Sequence, residues 1–122
     1  MDKYEALDKF YNSFGIKAYE ENSVPDKAVM PYITYEVITA AFDAENVGLS
    51  CQIFFKEKSL RHIDELTEKL AQELSGGKKL RCDNGYIVLY RGEPFAQNMR
   101  TSDDKSVKCK YVTIMADYVT TF

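Results

Sequence analysis

The chain has 122 residues, which suits one domain and leaves too little for two with adequate cores unless metals or disulfides help. Apolar residues make up 45% of it and charged residues 29%, with nine Tyr and seven Phe, a composition that excludes disorder over the whole length. Sixteen basic residues against nineteen acidic give a net charge of −3, which argues against a dedicated nucleic-acid binder, because phosphate neutralisation supplies most of such a protein's affinity. No stretch approaches the roughly 20 apolar residues of a membrane-spanning helix. The start, Met1-Asp2-Lys3-Tyr4-Glu5, lacks a basic region followed by an apolar run, so the reading expects no signal peptide and a cytosolic origin.

In chain order, residues 3–14 predict a short amphipathic helix. Tyr4, Leu7, Phe10, Tyr11 and Phe14 recur at helical spacing, Asp2 and Glu5 stand at capping-box positions, and Gly15 is the stop. Residues 16–30 show no periodicity and read as a long connection through Asn22-Ser23-Val24-Pro25-Asp26, a length that is often functional. Pro31 opens a β-branched and aromatic run to residue 42, read as a strand, with Asn46-Val47-Gly48 as the turn out of it. Residues 49–56 place Leu49, Cys51, Ile53 and Phe55 on one face and predict its antiparallel partner. Residues 59–75 are the clearest helix: Ser59 caps it, Leu60, Ile63, Leu66, Leu70 and Leu74 form its stripe, Glu65 and Lys69 pair on the exposed side, and Gly76-Gly77 ends it. Asn84-Gly85 within 80–91 predicts a small hairpin or a bulged strand, and 92–106 reads as a second long polar connection. Residues 107–120 alternate: Val112, Ile114, Ala116 and Tyr118 share one face, while Tyr111, Thr113, Met115 and Asp117 share the other, which is partly wet or paired with another subunit. The order α-β-β-α-β-β predicts a single α+β domain over 1–122: a mainly antiparallel sheet of about four strands with two helices packed on one face.

The search for chemistry returns little. Cys51, Cys82 and Cys109 are odd in number and far apart, and with His62 they make a poor tetrahedral zinc set, so they read as free thiols acting as small apolar strand residues. His62, the only histidine, falls off the apolar stripe and reads as a surface residue. Gly76-Gly77-Lys78-Lys79 resembles a phosphate loop but follows a helix instead of opening one. The carboxylate pairs Glu20-Glu21 and Asp103-Asp104 read as solvated loop residues, and an enzyme would need His62 or Asp117 in a concave pocket. Asp117, in an otherwise apolar strand, calls for a Lys or Arg partner within the domain or across a subunit boundary. Tyr86, Tyr90 and Tyr111 with Lys78, Lys79, Arg81 and Arg91 keep a small RNA- or nucleotide-binding module as the alternative, although neither strand carries the aromatic-basic consensus of single-strand RNA readers.

Four features recur in one order: a first helix with a long arm; Pro-Tyr-Ile-Thr-Tyr-Glu at 31–36; an amphipathic helix ending at Gly76-Gly77; and a strand over 86–92 leading to Glu93-Pro94-Phe95-Ala96-Gln97, closed by the strand 107–118. In this the chain resembles the tail terminator and tail-completion proteins, the head–tail joining or neck family of long-tailed bacteriophages. Related minor neck and tail proteins share much of the pattern. The resemblance implies a non-enzymatic structural protein of a phage or prophage virion, made in the host cytoplasm and needing no cofactor or metal. It would form a homo-oligomeric ring, typically sixfold, at the head-proximal end of the tail tube, end tube polymerisation, and meet the tube protein and the head-completion or connector protein, with no specific nucleic acid and no membrane. On that expectation the contacts fall in the two long connections, at Tyr19, Glu20, Glu21, Phe95, Arg100, Asp103 and Asp104. Arg91 and Glu93 are placed to pair between subunits, and Asp117 is a further interface candidate.

Overall fold

Asp2 starts the first helix: its Oδ1 accepts the Glu5 N–H at 2.8 Å while its own N–H donates to Glu5 Oε1 at 3.3 Å, closing a capping box. In the computed structural model, which describes residues 1–39, 44–100 and 104–120, this helix, α1, spans Lys3–Tyr11 and passes into a 3-10 turn, Asn12–Phe14. Gly15 then takes a left-handed φ of 87° that ends the segment. The second helix, α2, spans Arg61–Leu74. Leu60, not the expected Ser59, stands at its N-cap; Ser59, one residue earlier, accepts the Arg61 N–H through Oγ at 3.0 Å, and Ile63, Leu66, Leu70 and Leu74 are buried. Leu60, expected on that stripe, is 40% exposed instead, and Glu65 pairs with Arg61 at 3.2 Å, one turn before the expected Lys69.

The sheet corrects the expectation of about four mainly antiparallel strands in the order α-β-β-α-β-β. Among the described residues there are seven: β1 (Lys17–Glu20), β2 (Tyr32–Tyr35), β3 (Val47–Gly48), β4 (Cys51–Lys56), β5 (Lys78–Cys82), β6 (Gly85–Met99) and β7 (Val107–Thr120). Six lie in the order β1-β2-β4-β7-β6-β5, and β3 pairs with β7 beyond β4. β1 and β2 are parallel and the other pairs antiparallel, so the sheet is mixed, and it curls into half of a barrel.

Each difference from the sequence reading has a local cause. β1 lies in the supposed 16–30 connection; its four residues bury only Ala18, too short a segment for periodicity to register. The 31–42 run leaves the regular ladder after Tyr35, although the Glu36 N–H still donates to the Ser50 carbonyl at 3.0 Å; residues 40–43 lie outside the described residues. The expected turn at 46–48 is a turn only at Asn46, which takes φ 56°, since Val47 and Gly48 already pair with Ala116 and Met115. β3 and β4 keep one register against β7, from Val47↔Ala116 to Lys56↔Val107.

The connection expected at 92–106 is mostly strand. β6 continues to Met99, with a register shift between Arg91↔Ile114 and Ala96↔Val112. Residues 92–95 stand opposite Thr113 alone, three more than the ladder needs, and form a bulge that takes Pro94, which has no N–H to give, out of the ladder. Gly92 lies buried at this bulge against Thr113, and a Cβ there would fall 2.4 Å from Thr113 Cγ2, so the close approach needs glycine.

One hydrophobic cluster joins α1 and α2 to a single sheet face: Leu7, Tyr11, Ile63 and Leu70 pack with Ile33, Tyr35, Ile53, Ile87, Leu89, Val112, Ile114 and Tyr118. Tyr11 stacks on Tyr35 at 4.6 Å and 11°, donates to the Leu49 carbonyl at 2.9 Å, and so fixes α1 where β3 meets β4. Lys110, at the helix-facing side of β7, pairs with Asp64 of α2 at 2.9 Å. Alternate strand residues point the other way and form rows across the sheet, Tyr19-Thr34-Gln52-Tyr111-Gln97 and Lys17-Tyr32-Phe54-Cys109-Met99. The helices pack on the opposite face.

The β5–β6 hairpin turns at Asp83-Asn84, and Gly85 opens β6 at φ 138°, where a Cβ would lie 2.0 Å from the Val119 carbonyl oxygen. Gly85→Ala is expected to lose on the order of 2–4 kcal/mol through strain and steric conflict. Gly48→Ala, whose Cβ meets nothing within 4 Å, changes stability by no more than about 0.5 kcal/mol. Urea midpoints of the two variants check the contrast.

Candidate assembly interface

The sequence-predicted residues fall on three separate surfaces. The first is the β1 edge of the sheet. Tyr19 packs edge-on against Tyr32 at 5.9 Å, and Tyr32 against Phe54 at 5.2 Å, giving an aromatic row on the face away from the helices. Glu20 is committed locally: its carboxylate accepts from the Asn22 N–H and Nδ2 at 3.0 Å each and from Ser23 Oγ at 3.2 Å, holding the turn after β1. Glu21 anchors through its backbone to the Tyr35 carbonyl at 2.9 Å and leaves its side chain in solvent. Nearby Glu36 is half-buried. Burial, reinforced by the charge of Glu21, pushes its carboxyl above the ordinary 4.5, against hydrogen bonds from the Ser50 backbone and the Tyr111 side chain. Asp8 accepts the Tyr35 phenol at 2.6 Å; burial foremost, then this bond and the charges of Asp8 and Glu20, drive that phenol well above its usual range. Four carboxylates, Asp8, Glu20, Glu21 and Glu36, thus concentrate negative charge at the end of β1 and β2.

The second surface lies at the β6 bulge. Arg91, Glu93 and Asp117 line one shallow depression with Leu74, Gly76, Gly77, Val88 and Tyr90. Arg91 and Glu93 are exposed. Asp117 does not meet the Lys or Arg that its strand position suggested. Its Oδ1 accepts the Asn46 N–H at 2.9 Å and the Tyr90 hydroxyl at 3.0 Å, and that hydroxyl also meets Asn46 Oδ1. The carboxylate therefore secures the left-handed Asn46 that starts β3, and neutral donors satisfy it. Phe95, at the far side of the bulge, is half-buried and packs against the core.

The third surface is the outer end of the β6–β7 hairpin, where Arg100 and Asp104 line a groove with Leu60, Asn98, Met99, Lys105, Val107, Lys108 and Cys109. Asp103 lies outside the described residues. Asp104 Oδ1 accepts the Ser106 N–H at 2.9 Å and Oγ at 2.7 Å; these bonds hold its carboxyl below the usual range, with Lys56 and Lys108 adding to the effect.

Other candidates resolve into ordinary roles. His62 is exposed with Nδ1 2.7 Å from Glu57 Oε2. All three cysteines are free and on strands, Cys51 and Cys109 buried, and burial raises the Cys109 thiol to about 11. Lys79 Nζ lies 4.0 Å from the centroid of the Tyr86 ring, occupying one of its faces. Among the described residues no group of three or more His, Cys, Asp or Glu is placed to hold a metal ion, and no helix is long and apolar enough to cross a membrane.

Sequence reasoning put Tyr111 on the outer face without adding it to the interface set, and put Leu60 on the buried helix stripe; it missed Glu36 on the aromatic face and Met99, Lys105 and Lys108 around the groove. The alternation of β7 places Tyr111 on the outer face, and pairing then brings it beside Gln52 and Gln97. Nothing local signals that Leu60 faces the hairpin end. No family model, no curated protein and no solved structure matches the chain.

Asp117→Ala strips the Asn46 N–H and Tyr90 hydroxyl of a shared acceptor and is expected to lower stability by about 1–3 kcal/mol, read from a urea melt. For Glu36, a carboxyl raised in the folded state costs stability as pH climbs from the unfolded value of 4.5 through the folded one, and costs nothing once both states are protonated. Glu36→Gln therefore melts higher than wild type at pH 7, and the difference shrinks as pH falls through that window. Thermal melts from pH 3.5 to 7.5 test the trend.

Proposed function

We propose that this chain is a structural subunit of a phage or prophage virion, closing into a ring, hexameric as in the family it resembles, at the head-proximal end of the tail tube. There it ends tube polymerisation and offers the head connector a docking surface. The observation that carries the reading is the two-faced sheet: one face is filled by both helices, while the other bears Tyr19, Tyr32, Phe54 and Tyr111. Three surfaces of differing charge stand at its β1 edge, its bulge and its hairpin end. A subunit that closes a ring needs two unlike surfaces, one for each neighbour, and a third for the tube or connector. The work is then geometric: the covered face keeps the sheet rigid, and the turn after β1 and the β6–β7 hairpin reach outward. Its partners in this reading are copies of itself, the tail tube protein and a head-completion or connector protein, with no cofactor and no nucleic acid specifically recognised.

Native mass spectrometry over a range of protein and magnesium concentration, with a tube-capping assay on the cognate tube protein, tests the reading. A closed ring and tubes halted at a fixed length are the expected results. A chain that stays monomeric and leaves tube growth unchanged overturns it, and salt-sensitive retention on a nucleic-acid column with no capping puts the binding-module alternative in its place.

A further inference from the structure

The groove at the hairpin end and the β1 edge are complementary in both charge and relief. Leu60 and Met99, 40% and 45% exposed, leave an apolar floor in solvent beside Val107 and Cys109, and exposed Arg100 and Lys105 stand at its rim. Lys56 and Lys108 add positive charge around Asp104. Along the order β1-β2-β4-β7, the opposite edge of the sheet lies three strands from β7. There exposed Glu21 and Asp26 follow β1, among the carboxylates of Glu20 and Glu36, and the same connection carries Val29, which at 80% is the most exposed large apolar side chain among the described residues. One flank is therefore cationic around an apolar groove, and the other is net anionic around an exposed apolar side chain, Glu20, Glu21, Asp26 and Glu36 outnumbering Lys17 and Lys27.

We propose that the groove receives the β1 edge and the 21–31 connection of a second copy of this chain, with Arg100 and Lys105 facing Glu21 and Asp26 and Val29 seated between Leu60 and Met99. This specifies the contact of the ring reading and rests on it. The two surfaces differ, so the contact is heterologous: each copy gives its groove to one neighbour and its edge to the other, as a closed ring requires. Exposed ion pairs contribute little each, so burial of the three apolar side chains supplies the attraction, while the charges fix which flank meets which and speed the encounter.

Charge reversal tests this on the full chain. Arg100→Glu with Lys105→Glu forms one variant and Glu21→Lys with Asp26→Lys the other; all four side chains are exposed, and unchanged urea midpoints confirm that each variant folds. By native mass spectrometry and sedimentation velocity at low salt, wild type assembles, whereas each variant alone is expected to self-associate at least ~10-fold more weakly. An equimolar mixture regains the ring with the two variants alternating, because each reversed rim meets a reversed edge and each native rim a native edge. Rings that survive in both variants, or a mixture that stays dissociated, overturn the contact alone. A wild-type chain that remains monomeric at every concentration overturns the contact, and if it also leaves tube growth unchanged the ring reading falls with it.

Discussion

Strand β7 pairs along both of its edges, and most of the architecture follows from that. Toward β1 it holds β3 and β4 in one register over Val47–Lys56; toward β5 it holds β6 from Gly85↔Thr120 onward. A strand bonded on both sides has no freedom to adjust, so the surplus length of β6 is expelled as the bulge at 92–95. The position of that bulge brings Arg91 and Glu93 beside Asp117, residues more than 20 apart in sequence.

The same strand separates two environments. Val112, Ile114, Ala116 and Tyr118 face the helices and are buried, while Tyr111, Thr113, Met115 and Asp117 face away and are only partly covered. Hydroxyls at the boundary link the layers: Tyr11 to the Leu49 carbonyl, Tyr35 to Asp8 and Tyr118 to the Ile38 carbonyl at 3.0 Å. Each phenol fills core volume with its ring and satisfies a polar group at its tip, so the segment around Leu49 and the backbone at Ile38 are tied to the core by more than apolar packing.

Charge is organised along the sheet more than by its net value. The modest excess of acid conceals an anionic end at Glu20, Glu21 and Glu36 and a cationic one at Arg100, Lys105 and Lys108. A chain built this way has low overall attraction for phosphate, and its two ends carry fields of opposite sign.

The local signals in the sequence were sufficient for α1 with its capping box, for the body of α2 and its glycine stop and for the two faces of β7, and they marked a hairpin or bulge at Asn84-Gly85 that is a hairpin turning one residue earlier, because each depends on contacts within a few residues or on a sustained period. The free state of the three cysteines was legible from their odd number and wide spacing, and the alternation of 49–56 placed Cys51 on the buried face; the burial of Cys109, on the outer face of β7, was not legible. Tertiary structure alone decided that four residues at 17–20 form a parallel edge strand, that residues 96–99 continue β6 past a bulge, and that Asp117 is answered by Asn46 and Tyr90 instead of a cation. Pairing partners distant in the chain supply the hydrogen bonds in all three cases, and no local pattern encodes a partner. The candidate residues were legible as polar or aromatic positions in long connections, but their division into an acidic edge, a bulge and a basic groove exists only once β1 and the β6–β7 hairpin are placed on opposite flanks of one sheet.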